Sequence, residues 1–229
     1  MFWIGTATLI LVGIYAWYAR QQAIATDIAA NAAKKSAEAA DRQSQTSARQ
    51  LELAERPWVF ANVAVASPLI FDANGAHITL RFIFKNTGHS PAVGVWVDPE
   101  FYAMYPTRPH PIDERRRLCN EIIQRSPGAG DTVFPGADTV QDITINMNKE
   151  DMDRSAKALG GFLQAAVIVR IAYRPTFRDD ARYYTGMIYD IGRLDPAHPA
   201  IFLSFKAGEN VPMQNLHFAI SAVAGVIAQ

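Results

Sequence analysis

Hydrophobic and polar positions follow three different rhythms along the chain. From Met1 to Ala19 no side chain carries a charge, and Phe2 to Tyr18 are largely apolar. Coiled as a helix, that run extends roughly 28 Å, close to the hydrocarbon thickness of a bilayer, and it predicts a transmembrane helix over residues 1–19. Phe2 and Trp3 at one end, with Tyr15, Trp17 and Tyr18 at the other, match the aromatic belts of a membrane interface. Ala23-Ile24-Ala25 has the small residues of a leader cleavage site. No Lys or Arg precedes the run, however, and it is longer than a leader's apolar segment, so an anchor is the preferred reading.

From Arg20 to Arg56 the sequence has neither Gly nor Pro and is rich in Ala, Gln, Ser, Glu, Lys and Arg. These residues favour helix, and Pro57 supplies a stop, which predicts a helical stalk over 20–56. Ala29, Ala33, Ser36, Ala40, Ser44, Ser47, Leu51 and Ala54 recur near one helical stripe. Small residues there permit self-association in an alanine-based coiled coil. The scarcity of Leu, Ile and Val at the seam equally suits a solitary spacer.

Beyond Pro57 the period changes from 3.6 to 2. Strand-like runs lie at Trp58 to Ala66, His77 to Lys85, Val93 to Phe101, Thr139 to Met147, Phe162 to Arg174, Ala181 to Ile191 and Ile201 to Phe205. In Ile78-Thr79-Leu80-Arg81-Phe82-Ile83-Phe84-Lys85 the even positions are apolar and the odd ones mostly polar, so one face is buried and one wet. The pattern predicts a mainly β domain over 57–229, an antiparallel immunoglobulin-like β-sandwich of about seven strands. Two short helical insertions interrupt it, Asp113 to Arg125 and Lys149 to Leu159, the second closed by Gly160-Gly161. Leu216 to Ala228 is apolar but too short to span a membrane, and reads as buried strand or docked helix.

Several short motifs punctuate this frame: Glu55-Arg56-Pro57-Trp58-Val59, Asn86-Thr87-Gly88-His89-Ser90-Pro91-Ala92, Phe134-Pro135-Gly136 and the Tyr-rich stretch Tyr173 to Thr185. Asn86 and Gly88 are suited to a turn with positive φ. In these motifs, together with the apolar start and the Ala-rich helix, the chain resembles a set of uncharacterised proteobacterial single-pass membrane proteins with an immunoglobulin-like β domain. The likeness runs over nearly the full length, with Arg174-Pro175 departing from the usual Tyr-x-Asp form of the late hairpin. It implies a fold and a membrane location, and no activity.

Composition then narrows the function classes. Lys plus Arg and Asp plus Glu balance at 22 each, which argues against nucleic acid as a partner. Arg115-Arg116-Arg117 is the one basic run, expected as a solvated helix face. Cys119 is the single cysteine, so no internal disulfide forms, and a small buried helical residue is its expected role. None of the five histidines pairs at a metal-ligand spacing, and no Gly-rich loop follows a strand with a Lys, so no metal, cofactor or catalytic residues are assigned.

The residues best suited to contact a partner cluster in two loops. Tyr105, Arg108 and His110 belong to the Pro-rich segment 105–111, and Arg178, Asp180, Arg182 and Tyr183 to the late hairpin. Aromatic rings beside Arg are the composition of protein-binding hot spots. Tyr183 and Tyr184 are adjacent on one strand and point to opposite faces, so at least one is expected near solvent.

The function expected is therefore a membrane-tethered, non-enzymatic module that binds a protein partner, held in the bilayer through residues 2–18. A periplasmic module binding envelope or glycan is the alternative, and a hydrolase-type enzyme using His110, Asp113 and Asp180 a more remote one. The resemblance implies a bacterial inner-membrane protein; Arg20, Lys34 and Lys35 follow the apolar run and nothing basic precedes it except the amino terminus, which favours its domain in the cytoplasm.

Overall fold

A computed structural model of the chain describes residues 2–124, 130–176, 181–195, 202–222 and 226–228, with side-chain surroundings from Ile14 onward. Two compact units result, Met1–Ala54 and Glu55–Gln229. The first is a single helix, α1 (Phe2–Glu55), of 54 residues, about 80 Å long at 1.5 Å per residue. Every side chain of this helix from Ile14 to Leu51 is exposed. Its stability is local: good helix formers, with contacts one turn apart such as Gln45 Nε2 donating to Asp41 at 2.9 Å. Among the described residues no helix is long and apolar enough to cross a membrane. The run Met1 to Ala19 expected to do so falls largely on residues 1–13, whose side chains lie outside the described residues.

The second unit is mainly antiparallel sheet. Its long strands are β1 (Val59–Val65), β3 (Gly75–Asn86), β4 (Ala92–Met104), β6 (Asp138–Asn148), β7 (Phe162–Pro175) and β8 (Tyr183–Leu194). Short pieces fill the edges and corners: β2 (Ile70–Asp72), β5 (Asp131–Val133), β9 (Phe202–Leu203), β10 (Phe205–Lys206), β11 (Leu216–Ile220) and β12 (Val226–Ala228). Twelve strands thus stand among the described residues where about seven were expected: the Ile201 to Phe205 run is divided between β9 and β10, Leu216 to Ala228 supplies β11 and β12, and β2 and β5 are three-residue pieces with no legible alternation. One sheet runs β1–β3 with β2 and β6 also paired to β3, and the other runs β11–β8–β7–β4–β5. Both contribute to a single apolar core. Ile78, Leu80, Phe82 and Phe84 come from the first sheet, and Val167, Val169, Ile171, Met187 and Tyr189 from the second.

Two helices complete the unit, α2 (Pro111–Gln124) and α3 (Lys149–Ala158). Asn148 caps α3 by accepting from the Asp151 amide at 2.7 Å. At the other end Gly160 and Gly161 take φ of +64° and +93°, which L side chains resist. Helix α2 lies across the outer face of the larger sheet, burying Leu118, Cys119 and Ile122 against Tyr102, Ala166, Ile168, Ala172, Tyr184 and Ile188. Strands β7 and β8 are consequently covered on both faces, which is why the Phe162 to Arg174 run loses its alternation.

That second layer corrects two expectations. Tyr183 and Tyr184 do face opposite sides, yet both are buried, at 9% and 5% exposure, one under the smaller sheet and one under α2. Within the basic run, Arg116 and Arg117 are exposed, but Arg115 is buried, its stem beside Gly186 of β8.

Three of the motifs meet at one end of this unit. Asn86 is fully buried, and its side chain acts as a four-way connector. Oδ1 accepts from the Trp58 amide at 3.1 Å and the Gly88 amide at 2.9 Å, while Nδ2 donates to Ser90 O at 2.8 Å and Val133 O at 3.0 Å. The Asn86 carbonyl accepts from Gly136, tying in Phe134-Pro135-Gly136. Gly88 does not sit at positive φ, as the turn reading supposed. It is required for space, since a Cβ there would lie 2.3 Å from Arg56 O. Arg56 is itself buried, its guanidinium 4.2 Å above the Trp58 ring and 3.9 Å from that of Tyr183.

Candidate functional site at the Pro-rich loop

Strand β4 begins at Ala92, beside this junction, and after 13 residues ends at Met104, at the opposite end of the unit. There the chain enters Tyr105-Pro106-Thr107-Arg108-Pro109-His110-Pro111. Three prolines stiffen the backbone, and one arginine fixes it in place. The Arg108 guanidinium lies 3.8 Å from the centre of the Tyr102 ring. It pairs with Glu100 at 3.2 Å and with Asp151 of α3 at 3.1 Å. Tyr102 donates its hydroxyl to Pro109 O at 2.7 Å, and Tyr105 donates to Asp151 at 2.9 Å. Loop, sheet and helix are thereby joined by a charge-assisted network.

Burial decides the acid–base character of the network. It raises the Glu100 carboxyl above its ordinary value, against the pull of Arg170 and Arg108. It also pushes the Tyr102 phenol up to about 12. Glu114, in the first turn of α2, is held below the ordinary carboxylate value by its hydrogen bonds from Arg117. The network is a brace, with Arg108 spent on internal carboxylates.

What the brace holds in place is a trough. Met104, Tyr105, Pro106, Pro109, His110, Leu159 and Gln164 line a cavity of about 420 Å³. A second, of about 490 Å³, shares Leu159 and Gln164 and continues along Phe162, Leu203 and Lys206. A third, of about 240 Å³, shares Met104, Gln164, Leu203 and Ser204 and reaches Asp190. The three are neighbours along one surface, laid where β7 and β8 part and β9 and β10 pair with one each. Phe162 and Leu203 stand in its wall at 49% and 41% exposure, large apolar side chains without a cover.

Of the expected contact residues, Tyr105, Arg108 and His110 come together here. His110 Nδ1 accepts from the Ile112 amide at 3.3 Å. Arg182 and Tyr183 lie elsewhere: Arg182 donates to Ile123 O at the end of α2 at 3.1 Å, and Tyr183 packs on Arg56. Arg178 and Asp180 are outside the described residues. The Asp113 amide donates to His110 O, but no hydrogen bond or ion pair joins those two side chains. Among the described residues there is no group of three or more metal-ligating side chains.

Sequence reasoning missed Glu100, Asp151, Phe162, Gln164 and Leu203. Asp151 is 43 positions from Arg108 and reads as ordinary helix-start chemistry, so only the fold brings it to the loop. Leu203 lies in the Ile201 to Phe205 run expected as strand, but nothing local in that run shows that it lines a trough with Phe162 and Gln164. No family model matches the chain, and neither a curated protein nor a solved structure is found similar to it.

Proposed function

We propose that the chain is a single-pass membrane protein whose β domain binds a protein partner through the trough beside the Pro-rich loop. The apolar run at residues 1–19, with aromatic residues at both ends, supports the anchor and its contact with the bilayer. The resemblance to proteobacterial proteins supports a bacterial inner membrane, and the charge bias after that run supports a cytoplasmic domain. The two antiparallel sheets sharing one core are read as an immunoglobulin-like sandwich, a scaffold that displays loops at its ends.

The observation that carries the reading is the trough's place and build. It lies at the end of the domain opposite Arg56, where the chain enters, and the Arg108 brace sets its wall before any partner arrives. A preformed wall lowers the ordering cost of association. Its continuity suits an extended segment of the partner, with Phe162 and Leu203 buried at the centre of contact and Gln164, Ser204 and Lys206 at the rim.

A photo-crosslinking residue placed at Phe162 tests this in the full-length chain in its membrane. Phe134, 59% exposed near the opposite end of the domain, serves as the control position. The proposal expects a discrete adduct from position 162 that is absent from 134 and is lost in Leu203→Asp with the melting temperature unchanged. No adduct from 162, or the same adduct from both positions, overturns it.

A further inference from the structure

The smaller sheet ends in an unguarded edge. Strand β6 pairs with β3 over eleven residues and, among the described residues, with nothing on its other side. Which of its main-chain groups point outward follows from β3. The Thr79 amide donates to Ser67 Oγ, and its carbonyl accepts from the Ala66 amide, so both turn toward the β1 side. Thr79 opposite Thr144 is therefore a pair that exchanges no hydrogen bonds, and Thr144 directs its N–H and C=O away from β3. Every second residue does the same, which exposes the main-chain groups of Val140, Asp142, Thr144 and Asn146.

The opposite edge of this sheet is treated differently. By the same alternation Val59 and Ala61 point their carbonyls outward from β1, and these accept the Thr185 hydroxyl at 2.6 Å and the Tyr189 hydroxyl at 2.9 Å. Among the described residues strand β6 receives no such cover. It contains no Pro, Gly or Lys, the usual guards of an edge. Its only charges are Asp138 and Asp142, the second neutralised by Arg81 through two contacts of 2.8 Å. Val140 is 58% exposed.

We infer that β6 pairs with β6 of a second copy of this chain, antiparallel about Ile143, to join two smaller sheets into one. The strand is complementary to itself in that register. All eleven residues overlap, Asp142 faces Thr144, Val140 faces Asn146 and Asp138 faces Asn148, so no like charges meet. The four outward residues of each copy then form about eight main-chain hydrogen bonds. Sliding to the register centred on residue 142 sets Asp142 against Asp142, and sliding the other way shortens the ladder. The two-fold symmetry closes the assembly at a dimer. This pairing is independent of the trough.

Sedimentation of the full-length chain in detergent, with cysteine crosslinking, tests it. Ile143→Cys lies opposite its own copy at a pair of close Cα spacing, and it is expected to give a disulfide-linked dimer under mild oxidation, with Asp142→Cys reacting far less. Val140→Pro removes one outward N–H without touching the β3 ladder and is expected to yield monomers. Thr144→Asp, which sets two acid pairs across the seam, is expected to weaken the dimer by about tenfold or more, and Thr144→Lys to strengthen it. A monomer at all concentrations overturns the inference. So does a dimer indifferent to residues 140 and 144 with no crosslink at 143, which would place association in α1.

Discussion

Replacing Asn86 with Ala is the sharpest perturbation available to the domain. The change removes one side chain and strands four main-chain groups, the amides of Trp58 and Gly88 and the carbonyls of Ser90 and Val133. At about 1 kcal/mol net for each buried hydrogen bond, the loss comes to about 4 kcal/mol. That is a large part of the roughly 5–15 kcal/mol that holds a domain folded. Urea unfolding of the full-length chain in detergent, followed by near-ultraviolet circular dichroism, reads it out. With a slope of about 2 kcal/mol per molar urea, the midpoint falls by about 2 M at an unchanged slope. Asn86→Asp separates the connector from mere volume. The carboxylate still accepts from the two amides but turns a second oxygen on two carbonyls, so it is as damaging as Ala at neutral pH. Protonation restores one donor, so the deficit shrinks as pH falls. A midpoint shift below about 0.5 M for Asn86→Ala would refute the connector role.

Three further outcomes follow from the same geometry. Arg108→Ala leaves Glu100 and Asp151 partly buried without their cation, and is expected to cost roughly 3 kcal/mol in urea unfolding, with Arg108→Lys recovering only part. Burial pushes the phenols of Tyr102 and Tyr189 up to about 12 from 10. The stability this represents is complete below pH 10 and declines as pH rises toward 12, so alkaline titration of unfolding should slope downward there and Tyr189→Phe should flatten it. The Cys119 thiol is buried and raised to about 11, so a disulfide reagent at pH 8 should label it at the rate of unfolding, and fast labelling of the folded chain would contradict the packing against Gly186.

Much of the frame was legible because its signals are local. Strand-like apolar runs located the six long strands, Gly160-Gly161 closed α3, and Pro57 closed α1. What escaped reading depends on residues distant in sequence. Gly88 looked like a turn glycine, and its true constraint is the backbone of Arg56 to Trp58 pressing on it. One of Tyr183 and Tyr184 was expected near solvent because nothing near them announces that α2, some 60 positions earlier, lies on Tyr184. The Pro-rich loop was recognisable as a candidate by composition, whereas its brace through Glu100 and Asp151 and the apolar wall of Phe162 and Leu203 are assembled only by the fold.

The central claim is that residues 1–19 tether this domain to a membrane. Fractionation with an alkaline carbonate wash tests it most directly, comparing the full-length chain with one that begins at Arg20. The account predicts that the full chain stays in the membrane pellet and the shortened chain moves to the supernatant with its domain folded. Recovery of both in the supernatant would contradict the anchor and, with it, the tethered partner-binding role.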